Sequence, residues 1–347
     1  LMKRRNFVQG AAASVPFLGP GVFGAEKIKT QRKLALGYDN FAVRAMKWKA
    51  PELINYAAEL KCDTLFITDF GPLEKMDDAY LKDVRKRGED AGVKILLGSW
   101  SICPTSVKFR DTWGTADEHL QLGIRAAKAL GSPAFRVILG AGDDRKTEGG
   151  IEARIADTVK VLKRNRTRCL DSGIKIAMEN HAGDMHTLEL KDLIEEAGPD
   201  YVGANFDSGN AAWTMEDPVQ ALENIGKYVL TTSLRDSAVW ESENGVTVQW
   251  TAMGSGDTDL KAFFRKFAEL CPHVAVNIET ISGFNRELKV KTEEFWKAWP
   301  KGKPQGYEKF LALARKGKPR EVGRVDQRAD IAKSISYCRK ELGLGRR

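Results

Sequence analysis

The stretch GIKIAMEN, residues 173–180, has two unlike faces. In an extended chain Ile174, Ile176 and Met178 fall on one side, and Lys175, Ala177 and Glu179 on the other. The first face is fit to pack under helices, whereas the second is small or polar and ends in a carboxylate. The division recurs in VGANFD (202–207), where Val202, Ala204 and Phe206 oppose Gly203, Asn205 and Asp207. In VAVNIET (274–280), Val274, Val276 and Ile278 oppose Ala275, Asn277 and Glu279, and in LTTSLRD (230–236), Leu230, Thr232 and Leu234 oppose Thr231, Ser233 and Arg235. A sheet covered by helices on both sides is apolar on both faces. Inward faces that turn polar at the strands' C-terminal ends suit the mouth of a closed barrel enzyme.

Further out, short apolar runs alternate with helical patterns from Lys33 onward. KLALGYD, TLFITD, KILLGSW and AFRVILG precede the four strands above, and segments such as PELINYAAELKC and DEHLQLGIRAAKALG lie between strands. Pro51 stands near a helix start, and Gly131, Gly173 and Gly198 stand at helix ends. Eight β-then-α units over about 260 residues match an α/β (β/α)8 TIM barrel. An open doubly wound sheet is the alternative that alternation alone leaves standing. Residues 237–257 interrupt the rhythm after strand 7 with an expected β-hairpin, VWES-ENG-VTVQW, which brings Trp240 and Trp250 to the barrel mouth. The expected layout is an export signal over 1–25, a barrel over 26–300 and a basic, helical C-terminal arm over 301–347.

The leader combines a basic start, an Arg4-Arg5 pair and an Ala/Gly-rich apolar run, the layout of a twin-arginine export signal. It implies a folded, exported and periplasmic protein. No other run approaches a membrane span. The five cysteines are scattered, with neither CxxC spacing nor a disulfide framework, and are expected to pack as small hydrophobes. The net charge of +8 is uneven: residues 1–25 carry three basic groups and no acid, and residues 286–347 carry eighteen Lys/Arg against eight Asp/Glu. The intervening body is therefore near −5 (8 − 3 − 10). The basic excess belongs to the tail, so a nucleic-acid partner is not expected.

Glu179, Asp207 and Glu279 end strands 5, 6 and 8 on the inward parity. Three carboxylates in one mouth repel, and a divalent cation is the simplest way to keep all three ionised. The set AMENH, NFDSGN and NIET resembles the sugar isomerase/epimerase superfamily with xylose-isomerase-like TIM barrels, over roughly Lys33 to Trp299. The resemblance implies one divalent metal (Mn, Mg, Co or Zn) on Glu179, Asp207 and Glu279, with the two glutamates also forming a proton-transfer pair. Where that family commonly has His-x-Lys-Asp on strand 7, this chain has Ser233-Leu234-Arg235-Asp236. Ser233 or His181 is then the candidate fourth ligand, and His181 is otherwise a substrate contact. A serine is a poor ligand beside an imidazole, so Ser233→His is expected to tighten metal binding.

Arg235 and Arg136 are candidate partners of a substrate oxyanion or acid group, Asn210 is a further substrate contact, and Trp100, Trp213 and Trp240 are candidate sugar-stacking walls. His119, His186 and His273 are background. The expected function is a metal-dependent isomerase or epimerase that moves a proton beside a carbonyl of a keto-sugar through an enediolate, with a small carbohydrate as partner and a homo-oligomer compatible. The alternatives are a metal-dependent lyase or hydrolase-like enzyme on oxidised glycosides and a non-catalytic carbohydrate-binding barrel. The related apurinic endonuclease chemistry needs several histidines on a multi-zinc cluster, and only His181 is well placed.

Overall fold

The computed structural model describes residues 33–347, so the expected export signal lies outside the described residues. The eight strands expected from alternation are all present: β1 Leu36–Asp39, β2 Thr64–Ile67, β3 Lys94–Ser101, β4 Ala134–Ile138, β5 Lys175–Glu179, β6 Val202–Phe206, β7 Val229–Thr232 and, beyond an insertion, β10 Val276–Ile278. They form one parallel sheet in the order β10-β1-β2-β3-β4-β5-β6-β7. Closure falls between β7 and β10. There Leu234 bridges Ile278, Leu234 N–H donates to Asn277 O (2.8 Å) and Glu279 N–H to Leu234 O (2.8 Å). The Thr232 hydroxyl spans the same seam, donating to Ala275 O and accepting from Asn277 N–H, both at 3.0 Å. The sheet is thus a barrel, the architecture that the parity of GIKIAMEN favours over an open sheet.

The outward residues of that parity (Ile176, Met178, Val202, Ala204, Phe206, Val276, Ile278) are fully buried in the main apolar cluster beneath the helices. The inward ones build a polar interior. Thr64 Oγ1 donates to Asn277 Oδ1 (2.7 Å), and Thr231 Oγ1 to Asn205 Oδ1 (2.8 Å). Gly131 and Gly173 end their helices in the left-handed region, where a side chain would be strained.

The hairpin expected after strand 7 is formed by β8 Asp236–Ser242 and β9 Gly245–Thr251, and β11 Asn285–Leu288 joins it as a third antiparallel strand. A second apolar cluster, with Trp213, Val239, Val248, Trp250 and Phe310, underlies this sheet. The C-terminal helix Gln327–Lys340 packs on β1, β10 and the turn Asn40–Met46. It buries Ile331, Ile335 and Cys338 in the main core, closing the helical layer beside the β10–β1 seam. All five cysteines are buried and unpaired, as packing cysteines should be.

At about 1.5–3 kcal/mol per buried aliphatic side chain, losing this helix removes several kcal/mol, comparable with a whole domain's stability. A chain ending at residue 325 is therefore expected to lose cooperative thermal unfolding, measured by circular dichroism. A peripheral arm would leave the transition in place.

Candidate active site

At the C-terminal end of the barrel a pocket of about 270 Å³ is lined by Thr68, Trp100, Arg136, Glu179, His181, Asn210, Trp213, Arg235, Trp250 and Glu279, with Phe41 and Phe284 at its walls. Its floor is a set of buried charges. Glu179 ends β5, and its Oε2 accepts from Arg136 Nε on β4 (2.5 Å) and Asn205 Nδ2 on β6 (2.7 Å). Asp207 follows β6 and caps the short helix Ser208–Trp213, its Oδ1 accepting from Gly209 N–H (2.8 Å) and Asn210 N–H (2.9 Å). Arg235 Nη2 donates to both Asp207 Oδ2 and Glu279 Oε2, joining the ends of strands 6 and 8 through one guanidinium.

Two glycines make room for these arginines. A Cβ on Gly98 would lie 3.0 Å from Arg136 Cβ and Cδ, and one on Gly209 only 2.5 Å from Arg235 Cγ and Cδ. The insertion holds the second arginine from above. The Trp250 ring lies 4.1 Å from the Arg235 guanidinium carbon, donates its Nε1–H to Gly209 O (3.0 Å) and stacks on Trp213 at 3.8 Å.

The structure brings Glu179, Glu279, His181, Asn210, Arg136, Arg235, Trp100 and Trp213 to one pocket. Asp207 lies beneath it. Trp240 does not line it. That residue sits opposite Thr247 on the hairpin, and Trp250 takes the wall position, because alternation along β9 turns Trp250 and not its partner strand's Trp240 to the pocket. Ser233 Oγ donates to Asp39 Oδ2 (3.0 Å) and accepts from Asn205 Nδ2 (3.2 Å), so its hydroxyl is spent within the protein. Asn180 clamps the backbone of Asp207, donating to its carbonyl (2.8 Å) and accepting from its N–H (2.9 Å).

His181 Nδ1 donates to Gly140 O (2.6 Å), which leaves Nε2 as the unprotonated nitrogen of a neutral ring. Burial pushes its pKa down to about 4. His119 bonds Ser99 Oγ (2.7 Å) beneath the barrel wall, and His186 caps the helix Thr187–Ala197, both away from the pocket.

Asp39 is the residue the sequence reading missed. It ends β1 on the inward parity, is buried, and accepts from Thr68 Oγ1 (2.8 Å), Phe41 N–H (2.9 Å) and Ser233. A carboxylate closing KLALGYD carried the same signal as those closing strands 5, 6 and 8. Burial raises Asp39 to about 6 and Asp207 to about 7, against the pull of Arg136 and Arg235 respectively. Burial lifts Glu279 well above the carboxylate range despite Arg235. At Glu179 burial acts in the same sense, but the Arg136 guanidinium outweighs it and holds this carboxyl below its usual value.

A divalent ion, which the family resemblance implies, needs free lone pairs on several convergent donors. Five of the six oxygens of Glu179, Asp207 and Glu279 already accept N–H bonds, and the guanidinium of Arg235 fills the space between two of the three groups. Among the described residues no three His, Cys, Asp or Glu side chains form a group that could hold a metal ion. This donor arrangement does not fit the expected ion.

Residues 54–298 match the family described as xylose isomerase-like TIM barrel. The chain belongs to that family. A curated relative, the 3-oxo-isoapionate decarboxylase of Pectobacterium atrosepticum, is 21% identical over 212 residues, 60% of this chain and 70% of the relative. Among solved structures, a D-psicose 3-epimerase in the presence of D-fructose superposes with a TM-score of 0.60 at 14% identity, covering 89% of this chain and 100% of that one. The IOLI protein with a bound zinc atom gives 0.55 at 17% identity, covering 82% and 96%. At these identities the structural likeness establishes the fold.

The Asp39 shift has a measurable sign. A carboxyl raised from 3.8 to about 6 binds its proton more tightly in the folded chain. Its contribution is full below pH 4 and lost as the pH rises through about 6. Asp39→Asn cannot ionise, so relative to wild type it should gain up to about 3 kcal/mol between pH 4 and 7. Urea unfolding at pH 4.5 and 7.5 reads the difference, and a stability gap independent of pH would show Asp39 ionised throughout.

Proposed function

We propose that the protein is a sugar-modifying enzyme that moves a proton on a carbon beside a carbonyl, as an isomerase or epimerase of a keto-sugar or sugar derivative. The observation that carries this reading is the convergence of two differently held carboxyls in one pocket: Glu179 accepts from Arg136 Nε (2.5 Å), which holds it below its usual value, whereas burial raises Glu279 despite its contact with Arg235. Two carboxyls whose surroundings drive their pKa values apart form an acid/base pair.

Glu179 takes the proton from the carbon, and the electron pair moves onto the carbonyl oxygen to form an enediolate. The N–H groups of Arg235 receive that developing charge; its Nε is buried and has no partner within the protein. Glu279 returns a proton to the opposite face of the carbon, which inverts it, or to the neighbouring carbon, which shifts the carbonyl. Asn210 Oδ1, also buried without a partner, and His181 Nε2 are acceptors for substrate hydroxyls. The aromatic walls formed by Trp100, Trp213 and Trp250 shield the enediolate from water.

A second reading is a lyase on an oxidised sugar acid or glycoside, in which the same enediolate arises by loss of carbon dioxide or expels a β-substituent. It draws on a neighbouring cleft of about 1010 Å³ that shares Trp213 with the pocket and carries both basic (Arg286, Lys297) and acidic (Glu152, Glu287) side chains, room for a second, polar unit. The decarboxylase relative favours the same reading. We further infer from the basic leader that the enzyme is exported; a reporter fused to residues 1–30 tests that.

The test is solvent-deuterium exchange into a panel of keto-sugars, followed by mass spectrometry. Wild type should label the carbon beside the carbonyl. Glu179→Gln and Glu279→Gln should each lower the rate by at least about 10²-fold, the low end of acid–base contributions. Exchange that survives both substitutions would end this assignment, and product release without carbon-bound exchange would favour the lyase.

A further inference from the structure

We propose that Arg235 occupies the position the family resemblance gives to a divalent cation, so that this barrel works without one. The inference rests on the proton-transfer reading above and names the group that polarises its substrate.

Three features on strand 7 and its insertion converge on this position. First, Nη2 of Arg235 touches Asp207 Oδ2 and Glu279 Oε2 together, so one positive centre joins acids from the sixth and eighth barrel strands. A cation coordinated by those two groups would have to sit where this nitrogen sits. Second, the residue at the expected imidazole position is Ser233. Its hydroxyl is committed to Asp39 and Asn205, and nothing at that position can serve as a strong ligand.

Third, the guanidinium is locked in place. Its side chain is 2% exposed, Trp250 covers one face, the missing side chain of Gly209 lets the aliphatic stem pack against the backbone, and Trp213 braces Trp250. Admitting a metal would break the two buried contacts of Arg235 with Asp207 and Glu279 and the cation–π contact in one step.

An arginine in this role changes the chemistry. It cannot be deprotonated, it does not exchange with solvent ions, and it offers N–H donors in a fixed fork in place of open coordination positions. Substrate oxygens would therefore be held by hydrogen bonds, and chelators would leave the protein unaffected. The earlier expectation for Ser233→His changes as well: a histidine there meets no vacancy while Arg235 remains.

The test uses the full chain as wild type, Arg235→Ala, Ser233→His and the double variant. Metal content is read by mass spectrometry, and binding by calorimetric and melting-temperature titrations with Mn²⁺ and Zn²⁺. Wild type and Ser233→His should purify with substoichiometric metal and show no melting shift with either ion or with EDTA. Arg235→Ala uncovers Asp207 and Glu279 and should gain a metal-dependent rise in melting temperature, larger in the double variant.

Stoichiometric metal in wild type, with stability lost to EDTA, overturns the proposal. So does an Arg235→Ala variant that folds and gains no metal response. If Arg235→Ala does not fold, Arg235→Lys and the wild-type metal content decide the matter. A metal-free wild type that shows no carbon-bound exchange would defeat the proton-transfer reading alone, and an active wild type with bound metal would defeat only this inference.

Discussion

One guanidinium shared by Asp207 and Glu279 is the contact on which the rest of the site depends. Four carboxyls, Asp39, Glu179, Asp207 and Glu279, are buried at one end of the barrel. Two like charges 5 Å apart at an effective dielectric of 20 repel by about 3 kcal/mol, so the four cannot all be ionised without compensation. Arg136 and Arg235 supply two positive charges, which leaves two negative charges uncompensated, and burial shifts Asp39, Asp207 and Glu279 in the direction that favours proton uptake. Glu179, paired with Arg136, is shifted the other way, toward the ionised form. The difference between the two glutamates that the proposed chemistry needs is thus a by-product of how the barrel solves its own charge problem.

That solution reaches well beyond the charged residues. Gly98 and Gly209 carry no side chain because each lies against an arginine stem. The hairpin after strand 7 is a structural part of the site, since its Trp250 covers Arg235 and joins Trp213 and Phe284 in the pocket wall. Ser233 and Asn205 link Asp39 to Glu179 through hydroxyl and amide donors, so that acids on strands 1 and 5 belong to one hydrogen-bond network. Electrostatic stabilisation is strongest when the donors are already in place before charge develops, and this site spends its hairpin and its glycines on that condition.

Much of this was legible in the chain. Alternation in GIKIAMEN and its three companions identified the barrel, the inward set and the strand-end acids, because a period of two is a local property. The strand-7 serine was visible as a departure, and Arg235 as an inward charge. Their consequence was not, because the pairing of Arg235 with residues 28 and 44 positions away depends on barrel closure. Asp39 escaped notice since strand 1 was read for its apolar run and not for its last residue. Trp240 and Trp250 could not be told apart without the register of the hairpin, which places Trp250 opposite Ser237 and Trp240 opposite Thr247.

The central claim is that an arginine, and not a metal ion, holds the acids of strands 6 and 8. The most direct measurement is a crystal structure of the wild-type protein grown in millimolar MnCl₂, with diffraction collected at the manganese absorption edge. The account predicts no anomalous peak between Asp207 and Glu279, and guanidinium density bridging the two carboxyls beneath Trp250. An anomalous peak coordinated by Glu179, Asp207 and Glu279, with Arg235 turned away from them, would contradict it.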